Sequence, residues 1–197
     1  MNIGLYFGSF NPVHVGHLII AKHIIQNSNI NEIWFVVSPQ NPFKNSNSLL
    51  NENHRLSMLK AALEGETRLK ASNIEFKLPK PSYTVNTLAY LSEKYPKHGF
   101  SIVMGSDGFQ NINKWKNYKS ITENYPIYIY KRPGFEIEND FGATINLLDA
   151  PLLEISSTHI RNMIRQGKSV RYLVTDAVLE EIEKHHYYRS ASENPAQ

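Results

Sequence analysis

The chain has 197 residues, of which 41% are hydrophobic and 20% are charged, and its 21 Lys and Arg against 18 Asp and Glu leave a formal charge of +3. That excess is too small to indicate a nucleic-acid-binding surface, and no apolar run approaches the ~18 residues of a membrane span. The first residues lack the basic segment of a signal peptide and the chain contains no cysteine, so we expect a cytoplasmic protein that binds neither nucleic acid nor membranes.

Short apolar runs that are typical of buried strands alternate with segments of helical periodicity. The predicted strands are residues 2–7, 32–38, 71–76, 100–105, 126–131 and 143–148. The predicted helices are residues 15–28, 52–64, 85–95, a short piece within 111–122, and then 157–166 and 176–186. This alternation predicts one α/β domain over residues 1–186, Rossmann-like and doubly wound, with a mostly parallel sheet and helices on both faces. Residues 187–197 are predicted to be a frayed tail.

The loop after the first strand has the sequence GSFNPVHVGHL. Loops at the carboxyl ends of parallel strands are where ligands bind in such sheets. Gly8 lets the backbone turn and a ligand approach closely, and Asn11-Pro12 delays the helix start to about His14. His14 and His17 then present two imidazoles on one face of the first helical turn, with Gly16 leaving room for a bulky ligand. The amides at this helix N-terminus suit a phosphate.

Two histidines at this spacing could also bind zinc, but the sequence has neither a cysteine nor an HExxH pattern to supply a third ligand, so no metal site is predicted. A single histidine would more often cap the helix or pack in the core. The loop resembles the G-x-F-x-P-x-H-x-G-H element of the nucleotidyltransferase superfamily that shares HIGH-type loops with class I aminoacyl-tRNA synthetases. The matching residues are Gly8, Phe10, Pro12, His14, Gly16 and His17.

A second loop, EISSTHIR at 154–161, opens a helix near the far end of the chain. Its hydroxyls and the guanidinium of Arg161 one turn later could hold a phosphate, although a plain capped helix with Ser156 or Ser157 as its N-cap is the alternative. In the superfamily that the first loop resembles, both elements bind one nucleoside triphosphate. The resemblance implies that His14 and His17 contact the α-phosphoryl group, and that the β and γ phosphates are held by Ser156, Ser157, Thr158 and Arg161.

Four further stretches resemble the bacterial nicotinate-nucleotide adenylyltransferases, and with the two loops the resemblance covers nearly all of residues 1–186. In PSYTVNTL it implies that Thr84 contacts the nicotinate nucleotide, and in MGSDGF that Gly105 and Asp107 face the adenosine. In INKWKNY it implies that Trp115 stacks on the pyridine ring, which an indole face can do favourably with a cationic ring. The KRPG stretch adds Arg132, for which a plain surface arginine is an equal alternative.

The chain departs from this family's pattern at three positions. In NPFK, Phe43 stands where the family has a histidine, while Lys44 remains to contact the triphosphate. Asn86 stands where the family often has Asp, and Lys116 stands where it often has a second aromatic. Lys116 could instead supply a cation to an acidic ring substituent, which leaves the choice between nicotinate and nicotinamide open.

The resemblance implies transfer of AMP from ATP to nicotinate mononucleotide, giving nicotinate adenine dinucleotide and pyrophosphate, in NAD biosynthesis. No protein nucleophile is implied, and Mg²⁺ would accompany ATP, bound mainly through phosphate oxygens. His14, His17 and Arg161 would act in catalysis, and Ser9 and Phe10 would join the residues around ATP. Another adenylyl- or cytidylyltransferase of the superfamily, such as pantetheine-phosphate adenylyltransferase, and a catalytically silent nucleotide sensor are the alternatives. Whether the chain forms a homo-oligomer stays open.

Overall fold

The computed structural model describes residues 1–40, 49–151 and 154–189. They contain one six-stranded sheet in the order β3-β2-β1-β4-β5-β6, in which every neighbouring pair is parallel. The strands are β1 (Asn2–Gly8), β2 (Glu32–Val37), β3 (Leu69–Ser72), β4 (Gly99–Gly105), β5 (Ile127–Tyr130) and β6 (Ile145–Leu148). The predicted α/β, doubly wound architecture is therefore confirmed.

The strands are joined by helices that lie close to their predicted positions. These are α1 (Val15–Asn27), α2 (Glu52–Ala62), α3 (Thr84–Lys94), α4 (Ser106–Phe109), α5 (Tyr118–Asn124), α6 (Ser157–Arg165) and α7 (Asp176–Lys184). Short 3-10 helices cover Ile74–Lys77 and Ile112–Lys114. Within the described part of the chain, none of the helices combines the length and the apolar character that crossing a bilayer requires.

Two predicted elements differ from the structure. The strand expected at 71–76 is β3 followed by the 3-10 helix Ile74–Lys77, because Glu75 turns inward and accepts hydrogen bonds from two hydroxyls instead of pairing along a strand. The helical piece expected within 111–122 is divided into the second 3-10 helix and α5. Asn117, the residue directly before α5, has φ 52°, a left-handed conformation that asparagine tolerates better than most residues.

The core occupies both faces of the sheet, because alternate side chains of a strand point to opposite sides. On β2, Ile33, Phe35 and Val37 join the cluster beneath α1, α2, α6 and α7, whereas Val36 joins the cluster beneath α3 and α5. All four side chains are fully buried. The continuous apolar run of this strand thus serves two layers of helices, as expected of a parallel sheet covered on both faces.

The strand order reverses between β1 and β4, which lie side by side in the sheet although 90 residues separate them along the chain. Loops that leave two such neighbours run to opposite faces and open a crevice between them at the carboxyl ends. The crevice of this chain therefore lies beside the GSFNPVHVGHL loop, after β1, and the MGSDGF stretch, at the end of β4.

Candidate active site

The turn that follows β1 is made at Phe10, whose φ of 45° lies in the left-handed region. A Cβ on Gly8 would lie 2.8 Å from the Phe10 ring, and one on Gly16 would lie 3.1 Å from Nδ1 of His14. Both glycines therefore make room for side chains of the loop itself. Gly8 also lines the main cavity of the crevice and Gly16 lines a smaller pocket beside it, so the expectation that they leave space for a ligand stays a prediction.

His14 and His17 stack face to face at the start of α1, with ring centroids 3.7 Å apart and planes inclined by 29°. The backbone N–H of His14 donates to Nδ1 of His17 at 3.2 Å. The ring proton of a neutral His17 is therefore on Nε2, which can act as a hydrogen-bond donor. The pair thus has the geometry expected from its spacing in the sequence.

His14 is the N-cap residue of α1 and is only 5% exposed. Burial, and to a smaller extent the nearby positive charge of Arg132, lower its pKa to about 4. His14 is therefore neutral at physiological pH, and a neutral imidazole contributes a hydrogen bond rather than a charge.

The second motif, at the start of α6, packs directly against the first loop. Ser156 caps the helix by accepting from the N–H of His159, as expected for one of the two candidate caps. The Ser157 hydroxyl donates to the carbonyl of Pro12 at 2.9 Å. Arg161 donates to the carbonyl of Asn11 at 2.8 Å. Two stretches 145 to 150 residues apart are thus joined by hydrogen bonds, and both face the same crevice.

This crevice holds a cavity of about 820 Å³, bounded by the ends of β1, β4 and β5 and by the start of α6. The predicted site residues that line it are Gly8, Ser9, Phe10, His14, His17, Gly105, Asp107, Trp115, Arg132, Ser156, Ser157, Thr158 and Arg161. Lys44 falls outside the described residues. A smaller pocket of about 260 Å³ adjoins the cavity beside the histidines, and its walls include apolar side chains, namely Ile20, Pro133, Phe135, Pro151 and Ile155.

Thr84 and Lys116 are predicted site residues that the structure does not place on the cavity wall. Thr84 is the first residue of α3, and the Lys116 ammonium lies 4.5 Å from the centre of the Tyr83 ring. The lysine that lines the cavity beside Trp115 is Lys114, which donates to the Asn111 side chain at 2.7 Å. The sequence alone does not distinguish the two lysines of the INKWKNY stretch, because the 3-10 turn that ends at Lys114 was expected to be part of a helix.

Two tyrosines that sequence reasoning missed, Tyr6 and Tyr130, also line the cavity. The Tyr6 hydroxyl donates to the Tyr130 hydroxyl at 3.1 Å, and burial together with Tyr130 raises the pKa of Tyr6 well above its ordinary value. Both residues lie in apolar strands, on β1 and β5, and there they read as ordinary core aromatics. The sequence holds no local signal for them, because only the pairing of strands brings them together.

Arg132 and Asp107 both line the cavity and form an ion pair, with Nε and Oδ1 separated by 3.5 Å. The Arg132 guanidinium also lies 5.7 Å from the centre of the Tyr130 ring. Arg132 is therefore part of the cavity wall, in agreement with the functional alternative for this residue. Over residues 1–40, 49–151 and 154–189, no group of three His, Asp or Glu side chains is arranged to hold a metal ion.

Comparison with known protein sequences finds a matching family model and close relatives that share one description. A family model described as "Cytidylyltransferase-like" matches residues 5–163. A "Probable nicotinate-nucleotide adenylyltransferase" of Cytophaga hutchinsonii is 50% identical over 95% of this chain and 98% of its own length. A protein of the same description from Flavobacterium johnsoniae is 49% identical, over 96% of this chain and all of its own length.

Solved structures share the fold. The Plasmodium falciparum nicotinic acid mononucleotide adenylyltransferase complexed with NaAD superposes with a TM-score of 0.81 at 23% identity, covering 95% of this chain and 97% of the other. The same enzyme complexed with APC superposes with a TM-score of 0.79, also at 23% identity, covering 95% and 96% of the two chains. At this level of identity the superpositions establish a common architecture.

Proposed function

The chain belongs to the nicotinate-nucleotide adenylyltransferases, within the cytidylyltransferase-like family, and from that premise we propose how its residues transfer AMP from ATP to nicotinate mononucleotide. The phosphate of the mononucleotide attacks the α-phosphorus of ATP, the bond to the pyrophosphate breaks, and nicotinate adenine dinucleotide and pyrophosphate leave. The observation that carries the assignment of residues is the junction of the first loop with α6 at one cavity.

The triphosphate is proposed to lie between the two histidines and the start of α6. His17 donates from Nε2 to an α-phosphoryl oxygen, and the neutral His14 stacked on it donates a second hydrogen bond. Hydroxyls and amides at the start of α6 receive the outer phosphates together with the guanidinium of Arg161, whose position is fixed by the Asn11 carbonyl. These groups neutralise the charge that moves to the departing pyrophosphate.

The nicotinate ring is proposed to stack on Trp115, which lines the cavity. A cationic pyridine ring over an indole face gains ~0.5–2 kcal/mol. Lys114 lies beside this position and supplies positive charge to the acidic nucleotide. Thr84 and Lys116 belong to the outer edge of the same region, where Lys116 rests on Tyr83.

The adenine ring is proposed to enter the smaller pocket beside His14, whereas Gly105 and Asp107, which the resemblance places at the adenosine, line the main cavity. This pocket shares His14, His17 and Ser156 with the main cavity, so a base placed there remains connected to an α-phosphate at the histidines. Its apolar walls suit a flat aromatic ring. The two substrates then meet with their phosphates at the histidines, and holding them there supplies most of the rate enhancement.

Mg²⁺ is proposed to arrive with ATP. Among the described residues that line the cavity, the carboxylate is that of Asp107, and it is paired with Arg132. A donor set of this kind fits a Mg²⁺ that is held by phosphate oxygens and water rather than by a protein cage. The ion supplies positive charge to the phosphates. A cytoplasmic location is part of the same proposal, with which the cysteine-free sequence agrees.

Pyrophosphate release tests the proposal against its alternatives. The purified chain is mixed with ATP and Mg²⁺ and, in parallel reactions, with nicotinate mononucleotide, nicotinamide mononucleotide or phosphopantetheine. We expect one pyrophosphate to be released for each nicotinate adenine dinucleotide formed. Of the three acceptors, nicotinate mononucleotide should give the highest rate of pyrophosphate release. Release only with phosphopantetheine would indicate another transferase of the superfamily, and binding of ATP with no release under any condition would indicate a nucleotide sensor.

A further inference from the structure

Glu75 is a buried carboxylate that the reaction does not use. It lies in the 3-10 helix Ile74–Lys77 and is 2% exposed. Its two oxygens accept hydrogen bonds from the hydroxyls of Ser82, at 2.7 Å, and Thr87, at 2.9 Å. The side chain of Ser38, directly after β2, also hydrogen-bonds to it. One carboxylate therefore joins the end of β2, the loop before α3 and α3 itself.

Burying this carboxylate lowers the stability of the fold relative to an apolar side chain at the same position, so stability alone does not explain why Glu75 is there. Burial raises the pKa of Glu75, and the hydrogen bonds from Ser82, Thr87 and Ser38 oppose that rise. No ion pair of the described residues involves Glu75, so hydroxyl groups alone compensate for the loss of hydration. An apolar side chain of similar volume would fill the same space without this loss. A hydrogen-bonded carboxylate, in contrast, fixes the positions of the groups that donate to it.

The groups that Glu75 fixes border the proposed nicotinate site. Ser82 precedes Tyr83, whose ring carries the Lys116 ammonium at 4.5 Å. Lys116 follows Trp115, which lines the cavity. The loop before α3 and the Trp115 segment therefore contact each other at the edge of the cavity, and a displacement of the loop would be transmitted to the indole.

We propose that Glu75 is a positioning residue for the acceptor nucleotide: through Ser82 and Thr87 it holds the loop before α3 against the Trp115–Lys116 segment, so that the surface receiving nicotinate mononucleotide is formed before binding. This proposal rests on the proposed stacking of the pyridine ring on Trp115. It also accounts for two hydroxyl residues of the PSYTVNTL stretch, Ser82 and Thr87, as donors to a buried carboxylate rather than contacts of the substrate.

The test compares the two substrates separately in Glu75→Gln and in Ser82→Ala. KM for nicotinate mononucleotide is measured at saturating ATP, KM for ATP at saturating mononucleotide, and the melting temperature of each variant is recorded. We expect KM for the mononucleotide to rise about tenfold in both variants, because a hydrogen bond to a charged group is lost. KM for ATP should change less than about twofold, since none of the described residues at the proposed triphosphate site, the histidines and the start of α6, makes a hydrogen bond with Glu75 or Ser82.

Thr122→Val is the matched control. Thr122 is also 2% exposed, and its hydroxyl donates to the Lys119 carbonyl within α5, away from the cavity. This variant should lower the melting temperature and leave both KM values unchanged. If Glu75→Gln does not fold, Ser82→Ala decides the question, because it removes one tether and leaves the carboxylate bound to Thr87.

Equal rises in both KM values, or an unchanged KM for the mononucleotide, would overturn the positioning role. Trp115→Ala separates that outcome from a failure of the proposed function. A raised KM for the mononucleotide in Trp115→Ala together with unchanged values in Glu75→Gln and Ser82→Ala refutes the role of Glu75 alone. An unchanged KM in Trp115→Ala refutes the stacking itself, and the role of Glu75 with it.

Discussion

At the scale of single residues, the two histidines of the first loop differ although they stack on each other. His14 is buried at the helix N-cap, and its pKa of about 4 keeps it neutral. His17 receives the backbone N–H of His14 on Nδ1, which leaves the proton on Nε2. The difference in burial arises because the N-cap position encloses most of the His14 ring, whereas His17 is only partly buried, and both rings line the cavity. Each histidine therefore permits its own experiment.

For His17→Ala we expect kcat to fall by about 10²–10³, with a much smaller rise in KM, because the lost donor acts on charge that develops in the transition state. Steady-state kinetics of pyrophosphate release measure both constants. His23→Ala, on the same helix but away from the cavity, is the control and should keep the wild-type kcat. Near-wild-type turnover in His17→Ala would remove this side chain from the mechanism.

The buried His14 makes stability depend on pH. In the unfolded chain the imidazole takes up a proton near its ordinary pKa of 6.5, whereas in the folded protein it stays neutral down to about 4. The unfolded state then binds more protons between these values, so the free energy of unfolding falls as the pH is lowered through this window, by up to ~3 kcal/mol. Urea denaturation between pH 4 and 7.5 measures this effect.

His14→Gln removes the titrating group, and its unfolding free energy should fall less than that of the wild type over the same window. Parallel curves for the two proteins would show that His14 does not carry the pH dependence.

Lys114 and Lys116 stand two residues apart and provide a matched pair. Lys114 lines the cavity beside Trp115, whereas Lys116 is held on the Tyr83 ring. We expect Lys114→Met to lower the preference for nicotinate over nicotinamide mononucleotide, as a ratio of kcat/KM values, by about fivefold, which is the effect of an exposed ion pair. Lys116→Met should change this ratio by less than about twofold. The reverse order would restore Lys116 as the acid-selecting cation.

At the scale of elements, α2 secures the loops that carry the site. Arg55 of this helix is completely buried and lies in no ion pair of the described chain. Its guanidinium donates at 2.6 to 3.1 Å to the carbonyl oxygens of Ser9, Ser38, Pro39 and Leu50. These carbonyls belong to the loops after β1 and β2 and to the start of α2. The fork of the guanidinium reaches all of them at once, which an ammonium cannot do.

For Arg55→Lys we therefore expect a loss of ~2–4 kcal/mol in the free energy of unfolding and a raised KM for ATP, because several buried carbonyls lose their donors. Chemical denaturation and substrate kinetics measure the two effects. Arg68→Lys is the control, since Arg68 also donates to two carbonyls but is exposed to solvent. Equal losses in the two variants would contradict a special role for the buried guanidinium.

At the scale of the whole molecule, distant parts of the chain close on the first loop. The Asn11 side-chain oxygen accepts from the backbone N–H of Leu50, at 3.2 Å, and from the hydroxyl of Tyr188, at 3.0 Å. The neighbouring Tyr187 is 9% exposed and hydrogen-bonds to His54. The prediction of a frayed tail from residue 187 is therefore wrong for these two tyrosines, whose rings find partners on α2 and on the loop.

Tyr188→Phe should lower the free energy of unfolding by ~1 kcal/mol, because it removes one largely buried hydrogen bond and leaves the ring in place. Thermal and urea denaturation measure the change. Tyr172→Phe is the matched control, since Tyr172 is 81% exposed, and it should be neutral. Equal stability of the Tyr188→Phe and wild-type proteins would show that the hydroxyl contributes nothing to closing the loop.

The secondary structure of the chain and the local geometry of its loops could be predicted from the sequence. Strand and helix positions follow from apolar periodicity, which depends on neighbouring residues, and most boundaries agree to within a few residues. The helix start near His14, a cap at one of the two candidate serines and the placement of His14 and His17 on one face of the first turn follow from local turn and helix geometry. These features need no knowledge of what packs against them.

Which side chains share the cavity depends on how distant elements pack together. Tyr6 meets Tyr130 because β1 and β5 lie on either side of β4, and Lys114 rather than Lys116 reaches the cavity because a 3-10 turn replaces a helix there. A glutamate is usually exposed, but Glu75 is buried, and hydroxyl groups of three residues from separate segments hydrogen-bond to its carboxylate. Such contacts join residues far apart in the chain, and a single sequence contains no periodic signal for them, because periodicity reports a residue's own element and not the element packed against it.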